Sequence, residues 1–176
     1  MNGFDAVNHA MSTMATGGYS TQNASVGSYD NVGVDAVTTV FMLLAGINFS
    51  LYFLVSRGRW RRAFSNRELW TYLAVAVLAT LFVTISIINK HGGIFTAFRY
   101  AAFQTASILT GTGFGTDDFA AYPPASQLLF VFLMFIGGCA GSTTGGIKIY
   151  RLIVMIKACN RELVRAFRPQ SVQAVR

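Results

Sequence analysis

Apolar residues in this chain gather into blocks of two lengths. Two are short, Phe4 to about Met14 and Ile94 to about Leu109, and both show helical spacing. Three are long: Val37 to Val55, Leu69 to Asn89, and Ser126 to about Met155. The 21 residues from Leu69 to Asn89 carry no charge, and about 20 residues rising 1.5 Å each cover the roughly 30 Å hydrocarbon core of a bilayer. That block therefore reads as a transmembrane helix. The short blocks reach only about 16 to 24 Å as helices, so they must turn back inside the membrane. Backbone that turns at such depth survives only where protein or a water-filled cavity satisfies it.

Each short block runs into a glycine turn, Ala15-Thr16-Gly17-Gly18-Tyr19-Ser20-Thr21 in the first case and Thr110-Gly111-Thr112-Gly113-Phe114-Gly115-Thr116 in the second, in register at Gly18 and Gly113. The long blocks that follow share a second pattern, Phe41-Met42-Leu43-Leu44-Ala45-Gly46 and Phe132-Leu133-Met134-Phe135-Ile136-Gly137. A lone Gly-Gly is ordinarily a turn and nothing more. Repetition in matching context points instead to the layout of an ion-selective pore. A short helix ending inside the membrane aims the negative end of its macrodipole at whatever lies beyond, and a dehydrated cation is the natural occupant. Glycine lets successive carbonyls point inward and replace a hydration shell. The candidate ion-binding residues are Thr16, Gly17 and Gly18 in the first turn and Thr110, Gly111, Thr112 and Gly113 in the second. Neither turn holds an acid, which argues against a divalent-cation filter.

Composition agrees with a membrane class: 53% of residues are apolar and 12% charged, with a mean hydropathy of +0.46. The net charge of +7 is unevenly placed. Arg57, Arg59, Arg61, Arg62 and Arg67 crowd one inter-helix loop, and Lys157, Arg161, Arg165, Arg168 and Arg176 fill the C-terminal stretch. Asp30, Asp35, Asp117 and Asp118 follow the glycine turns. The positive-inside rule makes the arginine segments cytoplasmic, so both turns enter from the outer face. Juxtamembrane arginines need no nucleic-acid partner. Cys139 and Cys159 suit neither a metal site nor a disulfide framework, and no nucleophile with its base, carboxylate pair or metal cluster suggests an enzyme.

Five glycines interrupt the last long block within Gly137-Gly138-Cys139-Ala140-Gly141-Ser142-Thr143-Thr144-Gly145-Gly146. Each would cost about 1 kcal/mol relative to alanine in a regular helix. The span is therefore expected to break into half-helices around a flexible constriction, with close helix packing through small residues as the other explanation. Gly141 to Lys148 lacks the adjacent Gly-Lys-Ser/Thr of a phosphate loop, and Gly111 to Gly115 lacks the spacing of a dinucleotide fingerprint. In an unbroken helix from Ser126, Lys148 would lie about 33 Å along, near the cytoplasmic interface, where snorkelling accounts for it. Otherwise Lys148 or Arg151 lines the inner pore and holds the constriction closed. His9 reads as a packing residue of the first short helix.

These residues resemble the Trk/Ktr/HKT superfamily of potassium transporters, and the TrkH type in particular. The resemblance implies an all-α integral membrane fold, a potassium-channel-like pseudo-tetramer of repeats, each a helix, a re-entrant pore helix with its filter loop, and a second helix. The turns from Ala15 and from Ser107 resemble the second and third filter quarters. Gly46-Ile47-Asn48-Phe49 falls in the second unit's inner helix, and Ile136 to Arg151 resembles the third unit's broken inner helix, the intramembrane gating loop. The chain then divides into 1–56 (pore helix, filter loop, inner helix), 57–68 (basic cytoplasmic loop), 69–156 (the next repeat) and 157–176 (basic cytoplasmic tail). Multi-pass placement in a bacterial cytoplasmic (inner) membrane is implied, as is potassium as substrate with no cofactor bound by the chain. Besides membrane lipid, the implied partners are the missing filter repeats, from a longer chain or a second copy, and a cytoplasmic nucleotide-binding regulatory subunit of TrkA type. A non-conducting fragment or assembly subunit is the alternative.

Overall fold

The computed structural model describes residues 1–167, so Arg168 and Arg176 lie outside the described residues. Eight α-helices are formed there: α1 (Gly3–Met14), α2 (Val32–Ala45), α3 (Phe49–Ser56), α4 (Trp60–Phe64), α5 (Arg67–His91), α6 (Ile94–Leu109), α7 (Pro124–Phe135) and α8 (Ile149–Phe167). Strands are absent among the described residues apart from one isolated bridge.

Helix α5 begins where Asn66 Oδ1 accepts the Glu68 and Leu69 amides at 2.8 and 3.4 Å, and it ends at Gly92 with φ +66°. It alone among the described helices is long and apolar enough to cross a membrane unbroken. Tyr72, Ala76, Ala79, Val83 and Ile87 form its buried stripe, spaced three or four residues apart as one helix face requires. Its other face, with Val77, Leu78, Leu81, Phe82 and Ile85, is exposed yet equally apolar, which suits lipid and not water.

The block Val37 to Val55, read from sequence as one stretch, is instead broken. α2 and α3 meet at a 94° bend across residues 46–48. The cause is close packing: a Cβ on Gly46 would collide with the Tyr72 hydroxyl. That hydroxyl donates to the Leu43 carbonyl at 3.0 Å, Tyr52 donates to the Leu44 carbonyl at 2.7 Å, and the Gly46 carbonyl accepts the Cys139 amide at 2.9 Å. Asn48 restarts the chain as a cap, taking the Ser50 amide at 2.8 Å. Carbonyls released by the break are thereby satisfied inside the protein.

The last block breaks as its glycines suggest. α7 ends at Phe135, α8 starts at Ile149, and residues 136–148 form a non-helical strap. Its neck is closed by a parallel bridge between Ile136 and Ile147, with Gly137 donating to the Ile147 carbonyl and Ile147 to the Phe135 carbonyl, each at 2.9 Å. Lys148 is consequently not at the far end of a continuous helix. At the centre sits α6, every residue of which from Phe103 to Leu109 is buried. Phe103 and Ala106 of α6 join Met42 of α2, Val26 and Phe114 in one apolar cluster that fastens the first unit to the second.

Candidate functional site

Both short helices stop where the sequence places the glycine turns. Alternation of handedness follows at matched positions: Thr16 and Gly18 have φ of +50° and +69°, Gly111 and Gly113 of +68° and +86°, whereas Gly17 and Thr112 between them stay out of the left-handed region. Such alternation swings successive carbonyls to one side of the chain. Glycine does this without strain. Threonine does not; Thr16 is a β-branched residue in a region costing of order 1–3 kcal/mol, and its hydroxyl is tied to the Ala15 carbonyl at 2.8 Å and the Thr143 carbonyl at 3.0 Å.

The amides of the turns point back to the helix ends. Thr16 and Gly17 donate to the Thr13 and Ser12 carbonyls at 3.1 and 2.8 Å, and Gly111 and Gly113 to those of Ile108 and Ser107 at 3.1 and 3.3 Å. By contrast, the carbonyls of Thr16, Gly17, Gly18, Gly111, Thr112 and Gly113 accept no hydrogen bond among the described residues. Thr110 is different in its side chain: its buried hydroxyl donates to the Ala106 carbonyl at 2.7 Å and meets the Thr112 hydroxyl at 2.7 Å. The two turns are adjacent in space. A Cβ on Gly18 would collide with the Thr112 carbonyl oxygen, and His9 of α1 stacks on Phe114 of the second turn at 5.6 Å while its ring nitrogens meet the Asp5 carbonyl and Ser20 Oγ. His9 is thus a packing residue.

The glycine strap lies against the first turn. Thr143 Oγ1 donates to the carbonyls of Met14 and Ala45 at 3.2 and 3.3 Å, and the Gly138 amide donates to Thr144 Oγ1 at 2.8 Å. Gly137 packs its α-carbon on the Gly145 carbonyl, and Gly146 on the Gly137 backbone. Ser142 Oγ donates to the Cys139 carbonyl at 2.7 Å. Lys148 folds back into this strap, its ammonium donating to the Thr144 carbonyl, to Thr144 Oγ1 at 3.0 Å and to Ser142 Oγ at 3.4 Å. Arg151 is not drawn in; it is exposed on the first turn of α8.

Five side chains that tie distant segments together escaped the sequence reading: Arg99, Lys90, His91, Tyr72 and Glu68. Arg99, the only charge inside the second short block, reaches across the units to Asp35 Oδ2 at 2.7 Å and Asp30 Oδ1 at 3.1 Å. Lys90 and His91 meet Asp117 at 3.0 Å each, whereas the arginines of the 57–67 loop have no ion pair among the described residues. Burial pushes the Asp117 carboxyl up, but bonds from Lys90 and the Asp118 amide bring it below its ordinary value. Tyr72 and Glu68, both on α5, brace the α2 break and the strap; nothing local in the sequence marks either as a contact across the fold. No group of three or more His, Cys, Asp or Glu residues able to hold a metal occurs among the described residues.

Two helix–turn–helix units, interlocked at their turns and flanked by lipid-facing apolar helices, define an all-α integral membrane protein built from re-entrant repeats. Residues 1–89 and 68–176 each match the family described as TrkH, cation transport protein, the two matches sharing most of α5. The chain belongs to the TrkH family. It is 36% identical to the Trk system potassium uptake protein TrkH of Salmonella typhimurium over 100% of its length and 37% of that protein. Against TrkG of Escherichia coli K12, identity is 34% over 98% of the chain and 36% of the relative. The crystal structure of the potassium transporter TrkH from Vibrio parahaemolyticus superposes with a TM-score of 0.92 at 37% identity, covering all of this chain and 39% of that one. The chain spans little more than a third of the length of the curated relatives it matches.

Proposed function

We propose that this chain supplies two adjacent sides of a potassium-selective filter in a bacterial cytoplasmic-membrane transporter, with the strap from Gly137 to Gly146 as the intramembrane gate beneath it. Potassium passes inward, down its electrochemical gradient or coupled to another cation. The observation that carries this reading is the matched left-handed pair in each turn, Thr16 with Gly18 and Gly111 with Gly113, which leaves carbonyls on one side without intramolecular partners. A small monovalent ion held by backbone dipoles fits such a lining. Lys148, bonded within the strap, serves as the cation that keeps the gate closed.

Two sides do not make a ring, so the remaining sides come from further repeats of the same longer chain or from a second copy. The unpaired arginines of the 57–67 loop are the docking face for a nucleotide-binding regulatory subunit of TrkA type. Rubidium uptake in a bacterium lacking its own potassium transporters tests the reading. Saturable uptake by the complete transporter, abolished by Gly113→Asp, is expected, and uptake indifferent to Gly113 overturns it. The same assay on residues 1–176 alone separates a paired half-pore, which transports, from a non-conducting fragment or assembly subunit, which does not.

A further inference from the structure

Glu68 has no part in the filter or in membrane topology, yet only 8% of it is exposed. It stands in the first turn of α5, where an acid is ordinarily explained by the macrodipole of its own helix. Its carboxylate has another engagement. Oε1 accepts the Ala140 amide of the glycine strap at 2.6 Å, across 72 residues of sequence. From the opposite side residues 139–141 are held by main chain alone, Cys139 donating to the Gly46 carbonyl at 2.9 Å and Phe49 to the Gly141 carbonyl at 3.1 Å. Residues 139–141 are therefore slung between the α2–α3 break and the start of α5. Of these three bonds only that of Glu68 comes from a side chain, and a charged acceptor makes it the strongest.

Lys148 and Glu68 divide the work on the strap. Lys148 bonds Thr144 and Ser142, which belong to the strap itself, so it fixes the strap's own shape. Glu68 ties the strap to a different element, one residue past Arg67 at the end of the basic loop. We infer that Glu68 is a positioning residue, a latch that keeps the strap seated under the filter and through which displacement of the basic loop reaches it. The inference rests on the gating role proposed above for the strap.

The complete transporter carrying Glu68→Ala, Glu68→Gln or Glu68→Asp tests it, with rubidium uptake normalised to the amount of protein in the membrane and measured without any cytoplasmic partner. E68A is expected to raise maximal uptake at least threefold with the half-saturating rubidium concentration unchanged. E68Q, whose amide oxygen still accepts the Ala140 N–H, is expected to stay near wild type. Alkylation of Cys139, fully buried in the strap, by a membrane-permeant maleimide is expected to speed up in E68A, followed on the peptide that contains it. If E68A does not reach the membrane, E68D takes its place with the same expectations, because its carboxylate stops one methylene short. Wild-type uptake and labelling in the variant overturn the latch, as does a changed half-saturating concentration or an E68Q that behaves like E68A. A wild-type transporter that moves no rubidium overturns the transport reading itself, whereas one that transports, unchanged by E68A, overturns the latch alone.

Discussion

Gly18 concentrates two demands that no other residue type meets together. Its backbone is left-handed at φ +69°, which costs an L-residue roughly 1–2 kcal/mol, and its α-carbon rests on the Thr112 carbonyl of the neighbouring turn. Gly18→Ala is expected to displace Thr112 and to cut rubidium uptake by the complete transporter at least tenfold while leaving membrane insertion intact. Gly113, with open space around its α-carbon, is the control: Gly113→Ala brings strain without collision and a smaller loss. Comparable uptake by the two alanine variants would show that contact between the turns is irrelevant. The glycines and their repetition were legible from the sequence. The unequal surroundings of Gly18 and Gly113 were not, because they depend on which carbonyl the fold brings alongside. Thr16 is the converse case: it aligns with Gly111 in the repeat and adopts the same left-handed backbone despite its branched side chain, held by bonds to Ala15 and Thr143 that no local pattern announces.

Helices in this chain are set by capping and composition at their ends and by contacts across the fold in their middles. Asn48 and Asn66 mark two starts that local chemistry explains. The α2–α3 break is different. Gly46 lies in an apolar run that periodicity treats as continuous, and only Tyr72 from α5 and Cys139 from the strap turn it into a 94° corner. The Arg99–Asp35 pair joins α6 of one unit to α2 of the other, with side chains 19% and 3% exposed. Removing one partner of such a pair leaves a buried charge uncompensated, a loss of about 3 kcal/mol. Arg99→Gln should therefore lower the denaturation temperature of the detergent-solubilised complete transporter by several degrees. Asp35→Asn combined with Arg99→Gln should recover part of that loss, and an Arg99→Gln protein as stable as wild type would mean that the apolar cluster around Met42 and Phe103 alone fastens the units.

At the scale of the whole molecule, charge pairing differs between segments. Lys90, His91 and Arg99 are each matched to an aspartate, while the arginines between residues 57 and 67 are left without carboxylate partners among the described residues. With the cytoplasmic placement proposed above, these arginines would both obey the insertion rule and offer a docking surface to an acidic protein face. Replacing Arg57, Arg59, Arg61 and Arg62 together by glutamine should weaken co-purification of a soluble regulatory subunit with the complete transporter, more so at low salt, where exposed charges are least screened. Co-purification that survives the replacement would place the contact elsewhere.

The sequence by itself determined the membrane class, the two short helices with their glycine turns and the breaking of the last span, because hydrocarbon thickness and glycine's backbone freedom act locally along a chain. Tertiary structure alone decided the corner at Gly46, the seat of Thr16 and Thr143 against each other, the reach of Arg99 across units and the hold of Glu68 on Ala140. Those four depend on groups distant in sequence that become neighbours only when α5 and α6 pack. Periodicity records which face of a helix avoids water, but not which carbonyl or amide waits on the other side.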